Sequence, residues 1–289
     1  MIGKGSAIAL GFFDGVHIAH QKIIESAVRY AELNNLIPIA LSFDKSPLEI
    51  LSGNHMCYLT SNAEKEAIIT SLGAKAEFLP TDKALLSVEP EVFIEKILVG
   101  KYNIKYAVCG YNYRFGKNGR GDTDLLMKEG KRHGFEVLVA PCQMYNGESI
   151  SSSRIRGLLA EGEISLANNL LGRNFFIEGT VSEGKKLGRK IGFPTANVFF
   201  DDKAAQLKNG VYKTLVTVDA KCYDAITNAG TNPTVCDKSV RTETHIPDFE
   251  GNLYGKKIKI EFIKFIRPEI KFENLEKLTE QIREDLKNL

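Results

Sequence analysis

GFFDGVHIAH, residues 11–20, stands between a short apolar run, Ala7 to Leu10, and a helix-like pattern that begins Gln21-Lys22-Ile23-Ile24. Strand, glycine-punctuated turn and helix in that order predict a parallel α/β unit that holds a nucleotide at the turn. His17 and His20 are three apart, and such a pair at a helix start shares one face. There the unpaired backbone N–H groups and the helix dipole favour phosphate. Gly11 and Gly15 let backbone and ligand approach closely.

Outward from this stretch, the first half alternates. Strand-like runs at 37–43, 76–79, 106–109 and 135–140 are separated by helix-like stretches at 21–34, 62–72, 90–99 and 122–133. That alternation predicts a parallel sheet with helices on both faces, whose ligands bind beyond the carboxyl ends of the strands. GFFDGVHIAH lies at such an end. So does GYNYRFGKNGRGD (110–122), where Tyr111, Tyr113, Phe115 and Asn112 are expected to stack a flat ring and bond its edge.

The pattern changes near Ser151. Ser151-Ser152-Ser153 supplies N-cap candidates for a helix from Arg154 to about Ala160, and a second helical piece follows at 165–171. Arg154 and Arg156 offer forked donors suited to phosphate, but two residues apart they diverge on a helix. After Gly172 the chain is strand-rich at 175–181, 211–218, 221–228 and 257–265, with Gly and Asn turns between, which predicts an antiparallel barrel or sandwich. Leu275, Leu278, Ile282 and Leu286 give the tail a helical period. The boundary between the halves is expected within 150–175.

The second half carries its own chemistry in GTVSEGKKLGRKIGFPTANV (179–198). Gly184, Gly188 and Gly192 with Lys185, Lys186 and Arg189 form a basic, glycine-rich flap suited to phosphates. It is not a P-loop, since GxxxxGK[ST] is absent. Thr195 and Asn197, two apart in an extended segment, share a face and offer oxygens to Mg²⁺ beside a nucleotide. Pro194 stiffens the approach. Glu243, between Arg241 and His245, is a carboxylate that can take a proton from an attacking hydroxyl. NAGTNPT (228–234) reads as a polar loop that lines the same place.

Composition bounds the remaining classes. The 289 residues suit two domains, and 43% hydrophobic with 26% charged residues is ordinary for a globular protein. A formal charge of +2 disfavours a general nucleic-acid binder. No apolar run approaches the roughly 18 residues of a membrane span, and no secretory leader is expected. The five cysteines are scattered without a CxxC pair, as in reduced cytoplasmic proteins.

Together these segments resemble the bifunctional bacterial riboflavin kinase/FAD synthetase (FMN adenylyltransferase) family over nearly the whole chain. Its GxFDGxHxGH, GxxFxFG and ISSTRIR-type motifs appear as GFFDGVHIAH, GYNYRFG and ISSSRIR. Its GxVxxGxxxGRxxGFPTAN motif is matched at 179–197, its ExH by Glu243-Thr244-His245 and its YG by Tyr254-Gly255. The resemblance implies an α/β plus all-β chain. Residues 1–160 would be a Rossmann-like nucleotidyltransferase domain with a parallel sheet. Residues 161–289 would be a riboflavin kinase domain, an antiparallel β-barrel with a C-terminal helix.

The same resemblance makes riboflavin, FMN and ATP the substrates and Mg²⁺ the metal, with no nucleic-acid or membrane partner. Thr195 and Asn197 become the Mg–ATP ligands and Glu243 the base for the riboflavin 5′-hydroxyl. His17, His20 and Arg154 become the catalytic groups of the first domain. Gly11, Phe12, Asp14, Gly15, Asn112 and Ser153, with Gly184, Gly188, Arg189 and Pro194 in the second, become nucleotide- or flavin-binding positions. Two places depart from the family pattern. Ala19 stands where glycine is usual, and Phe43-Asp44-Lys45-Ser46-Pro47 lacks the usual Pro-His-Pro element. The rival readings are a riboflavin kinase with a decayed first domain and a flavin-binding regulator without turnover.

Overall fold

The computed structural model describes residues 4–53, 55–184, 188, 191–199, 203–231 and 240–289. It divides into two compact units, 1–152 and 153–289. The first is built on five parallel strands, β1 (Ser6–Leu10), β2 (Ile37–Phe43), β3 (Lys75–Leu79), β4 (Ile104–Gly110) and β5 (Glu136–Ala140), in the spatial order β3-β2-β1-β4-β5. The strand that precedes the histidine turn is therefore the middle one, and all five of its residues are buried. Ile8 and Leu10 face a cluster with Phe93, Leu98 and Leu126. Ala7 and Ala9 face Ile24, Ala27 and Ala31 of α1 (Ile18–Leu33). Apolar residues on both faces are what a helix-covered parallel sheet requires.

Short helices α2 (Pro47–Ser52) and α4 (Lys83–Leu86) lie in segments that carry no clear period in the sequence. Between them α3 (Asn62–Ser71) begins in a full capping box: Ser61 Oγ accepts the Glu64 N–H, and Glu64 Oε2 accepts the Ser61 N–H. The stretch read as a plain helix from Pro90 starts as α5 (Pro90–Val92) and continues as π-helix through Phe93–Lys101. Helix α6 (Thr123–His133) is capped by Asp122, and the Asn146-Gly147 turn joins a small hairpin, β6 (Met144–Tyr145) and β7 (Glu148–Ser149).

Helix α7 (Ser152–Glu161) begins at the last residue of the first unit and continues into the second, where α8 (Ile164–Leu171) follows. Six antiparallel strands follow: β8 (Phe175–Thr180), β9 (Thr195–Phe199), β10 (Gly210–Val218), β11 (Lys221–Thr231), β12 (Val240–His245) and β13 (Lys257–Pro268). Their spatial order is β8-β13-β10-β11-β12-β9. The two edges meet where the Ser182 N–H donates to the Asn197 carbonyl (2.9 Å), so the sheet curls into the expected barrel. Strands β9 and β12 were read only as extended segments. Inside, the hydroxyls of Thr214, Thr227 and Thr244 form a buried chain at 2.8 and 2.9 Å, so these polar side chains are all partnered. Helix α9 (Leu275–Leu286) is tied to β13 by a two-point ion pair, Arg267 Nε to Asp285 Oδ1 (2.9 Å) and Nη2 to Oδ2 (2.7 Å).

Candidate active sites

In the first unit the turn after β1 is strained and held from several sides. Phe13, Gly15 and Val16 have φ of 54°, 75° and 40°. For a β-branched valine that backbone is a real outlier, and such residues persist where surrounding bonds over-determine them. Here the Gly11 N–H donates to Leu41 O, and Ser42 Oγ donates to Phe12 O (2.7 Å). Asp14 Oδ1 accepts the Leu59 N–H (2.9 Å), and the Gly15 N–H donates to Thr60 Oγ1 (3.1 Å). Ser152 Oγ donates to Asp14 O (2.9 Å).

His17 does not lie within the helix, as the spacing implied, but is its N-cap in extended conformation. Its Nδ1 accepts the backbone N–H of His20 at 3.3 Å, and the two rings still meet, stacked with centroids 3.6 Å apart. Because His17 Nδ1 is an acceptor, its proton sits on Nε2. His20 Nδ1 is buried and has no hydrogen-bond partner among the described residues. With Nδ1 enclosed, Nε2 is the ring nitrogen through which His20 can meet a ligand. Burial first, then the neighbouring His17 and Lys65, hold the His20 pKa well below its ordinary value. The turn thus brings the two imidazoles together, with His17 Nδ1 occupied by the cap bond.

Lys65 of α3 was missed by sequence reasoning. It is 1% exposed, and its Nζ donates to Phe12 O (3.1 Å) and lies 4.2 Å from the centre of the Phe12 ring. Burial pulls its pKa down to about 8 against the opposing pull of Asp14 and Asp44.

The aromatic loop differs from its reading. Phe115 is a core residue and Tyr113 packs against the same core, because the Phe115 and Gly121 backbones pair and leave no room for a Cβ at Gly121. Tyr111 and Asn112 stay exposed. Ala19 lies within α1, where alanine suits the helical backbone. In place of the Pro-His-Pro element, Asp44 Oδ1 accepts the Thr81 N–H (2.7 Å), and Tyr58 Oη accepts the Ser46 N–H (3.1 Å).

In the second unit Ser153 and Arg154 open α7, and the exposed Ser153 hydroxyl accepts from Arg156 Nη2 (3.1 Å). On the barrel, register brings the predicted residues together. Thr195 pairs with His245 and Asn197 with Glu243 across β9 and β12, while Asn228 pairs with Glu243 across β11 and β12. Alternation places Arg241, Glu243 and His245 on one face and the buried Thr242 and Thr244 on the other. Arg241, given no role in the sequence reading, links the set: its Nε donates to Asn197 Oδ1 (2.9 Å), its Nη2 also reaches that oxygen, and Nη2 lies 2.9 Å from Glu243 Oε1. Pro194 O meets His245 Nδ1 at 2.8 Å, which sets the strand that carries Thr195.

A Cβ on Gly184 would come within 2.7 Å of Asn197 Cγ and Oδ1, so glycine keeps that amide clear. Gly188 likewise lies too close to Phe193 O for any side chain. The Asn197 amide oxygen and the Thr195 hydroxyl share a face of β9 and are the donor type that a hard divalent cation takes, with Arg241 now holding the amide oxygen in place of such a cation. Arg189, Lys185, Lys186 and Asn232-Pro233-Thr234 fall outside the described residues.

The family model for FAD synthetase matches residues 2–154, and that for riboflavin kinase matches 171–289. The bifunctional riboflavin kinase/FMN adenylyltransferase of Buchnera aphidicola is 36% identical over 99% of this chain and 93% of its own. That of Bacillus subtilis is 36% identical over 97% and 90%. Among solved structures, a chain from Streptococcus pneumoniae described as a macrolide-efflux protein superposes with a TM-score of 0.91 at 28% identity, over 99% of this chain and 94% of that one. Among the described residues no helix is long and apolar enough to cross a membrane. With both family models matched and relatives above 30% identity along nearly the whole length, the chain belongs to the bifunctional riboflavin kinase/FMN adenylyltransferase family.

Proposed function

We infer that this chain uses ATP to phosphorylate riboflavin to FMN and then to adenylylate FMN to FAD, as a cytoplasmic enzyme. The kinase belongs to residues 161–289 and the adenylyltransferase to residues 1–160. The observation that carries the kinase reading is the register that sets Asn197 beside Glu243, both on Arg241. Glu243 takes the proton of the riboflavin 5′-hydroxyl, and the hydroxyl oxygen attacks the γ-phosphorus as ADP leaves. Thr195 and Asn197 would hold Mg²⁺, which when bound offsets phosphate charge. Gly184, Gly188, Arg189 and Pro194 are the further positions assigned to ATP or flavin binding.

In the other reaction a phosphate oxygen of FMN attacks the α-phosphorus of ATP and pyrophosphate leaves. The nucleophile is already an anion, so the site has no hydroxyl to deprotonate. His17 and His20 supply Nε2–H donors to the oxygens whose charge builds in the transition state, and Arg154 adds a forked cation. Gly11, Phe12, Asp14 and Gly15 form the turn that admits the nucleotide, with Ser153 and Asn112 as further contacts. A time course with riboflavin and Mg–ATP, resolving the flavins, tests the whole. FMN should rise first and FAD follow. Failure to form FMN removes the kinase reading, and failure to convert supplied FMN removes the adenylyltransferase reading.

A further inference from the structure

An amide oxygen has two lone pairs, and Arg241 takes both of those on Asn197 Oδ1. Its Nε donates there at 2.9 Å, and its Nη2 reaches the same atom. Nη2 also lies 2.9 Å from Glu243 Oε1, so a carboxylate anchors the guanidinium at this place. The register of the sheet fixes the arrangement: Asn197 faces Glu243 across β9 and β12, and Arg241 faces Phe199.

The amide and the guanidinium are not equally able to give way. Asn197 is buried, and a Cβ on Gly184 would lie 2.5 Å from its Nδ2, so backbone closes directly on the amide. Arg241 has an exit. Beside it stands the exposed ring of Phe199, centred 5.5 Å from the guanidinium carbon, and an arginine that slides onto an aromatic face keeps a favourable contact. A divalent cation cannot take Asn197 Oδ1 while both lone pairs are filled, and a guanidinium left beside that oxygen would repel it. Loading of the metal and departure of Arg241 from Asn197 are then one event.

We propose that Arg241 is a built-in competitor for the divalent cation of the kinase site, seated on Asn197 Oδ1 in the metal-free chain and displaced from it when the metal–nucleotide binds. A purely structural link between β9 and β12 would keep its bonds in both states. The inference rests on the reading of Asn197 as a Mg²⁺ ligand.

The test follows two NMR resonances of the full-length chain, the Arg241 Nε–H and the Asn197 side-chain amide. They are recorded without metal, with ADP and EDTA, and with ADP and saturating Mg²⁺. With Mg²⁺ and ADP the Asn197 amide should shift and the Arg241 Nε–H should lose its slow exchange with water. With ADP and EDTA both should keep the signature of the bonded pair. Arg241→Met should lower the Mg²⁺ concentration that half-saturates the Asn197 shift at least about threefold, because an occupied site weakens apparent affinity by the fraction that is competent. Arg241→Lys keeps the charge but lacks the fork that fills both lone pairs, so it should move in the same direction.

If the Asn197 amide ignores Mg²⁺ and ADP, the metal reading of Asn197 falls and the proposal with it. If Asn197 responds while the Arg241 Nε–H stays slow to exchange, the metal reading stands and the competitor is refuted. An unchanged Mg²⁺ demand in Arg241→Met refutes it as well. So does a gain in Arg241→Met with Arg241→Lys at the wild-type value, since charge repulsion alone would explain that pair. Should Arg241→Met fail to fold, the wild-type resonances and Arg241→Lys decide the matter.

Discussion

The two candidate sites answer different chemical problems with different materials. In the first unit the histidines lie in a strained turn held by backbone bonds, and Asp14 Oδ1 serves that turn by accepting the Leu59 N–H. In the second the groups line one face of a sheet, and Glu243 is 45% exposed and paired laterally with Arg241. An anionic nucleophile needs its charge offset, and a hydroxyl needs its proton removed. The architecture of each site follows the state of its nucleophile.

The strongest way to break this contrast is to neutralise the carboxylate. Glu243→Gln should lower FMN formation about 10³-fold, within the range for loss of a general base, and leave FMN-to-FAD conversion intact. Full retention of kinase turnover in that variant would transfer the base role to another group. Next in size is a stability effect confined to one unit. Asp285 is 4% exposed and accepts Arg267 at two points, so Asp285→Ala leaves a guanidinium stranded at 15% exposure. Removing one member of such a pair costs about 3 kcal/mol or more. Denaturant unfolding should show the loss in the transition of the barrel unit, with FAD formation from FMN the less affected activity.

His20→Ala removes one Nε2–H donor and should lower FAD formation about 10²-fold, the scale of losing one fixed donor to a developing charge. FMN formation from riboflavin should not change. A comparable fall in both activities would mean that the turn serves the fold rather than the transition state.

Much of this was legible in the chain. The alternation of apolar runs gave the parallel sheet because buried strands between helices must be apolar on both faces, as β1 is. GFPTAN and Glu243 were legible as a set, but what joins them was not. The Arg241 guanidinium meets Asn197 only because β9 and β12 pair in a register that no local pattern encodes. Lys65 was hidden for a similar reason. In NAEKEAIITS it reads as one charge among several on a polar helix, and only the packing of α3 against the turn buries it. Phe115 was misread in the opposite sense, since a loop aromatic became core once Gly121 closed on it.

The buried lysine also has a thermodynamic sign. Its folded pKa, about 8, lies below the ordinary lysine value of 10.5, so the unfolded chain binds more protons between those values. The penalty is fully present below pH 8, amounts to about 3 kcal/mol by the pKa difference, and is relieved as pH rises toward 10.5. A site residue that costs its unit stability is a familiar trade.

The smallest predicted effect separates that cost from the ordinary stability of the same helix. Ser61→Ala removes the hydroxyl that caps α3 and with it the bond from the Glu64 N–H, while the backbone N–H of residue 61 can still donate to Glu64, which should cost the first unit about 1 kcal/mol. Ser61 lies one turn before Lys65 but does not touch the Phe12 carbonyl. The midpoint of the first unit should therefore fall in urea while the pH dependence of FAD formation keeps its wild-type shape. If the profile moved with the cap, α3 would be acting on the histidine turn through its general rigidity, and not through the contact of Lys65 with the Phe12 carbonyl alone.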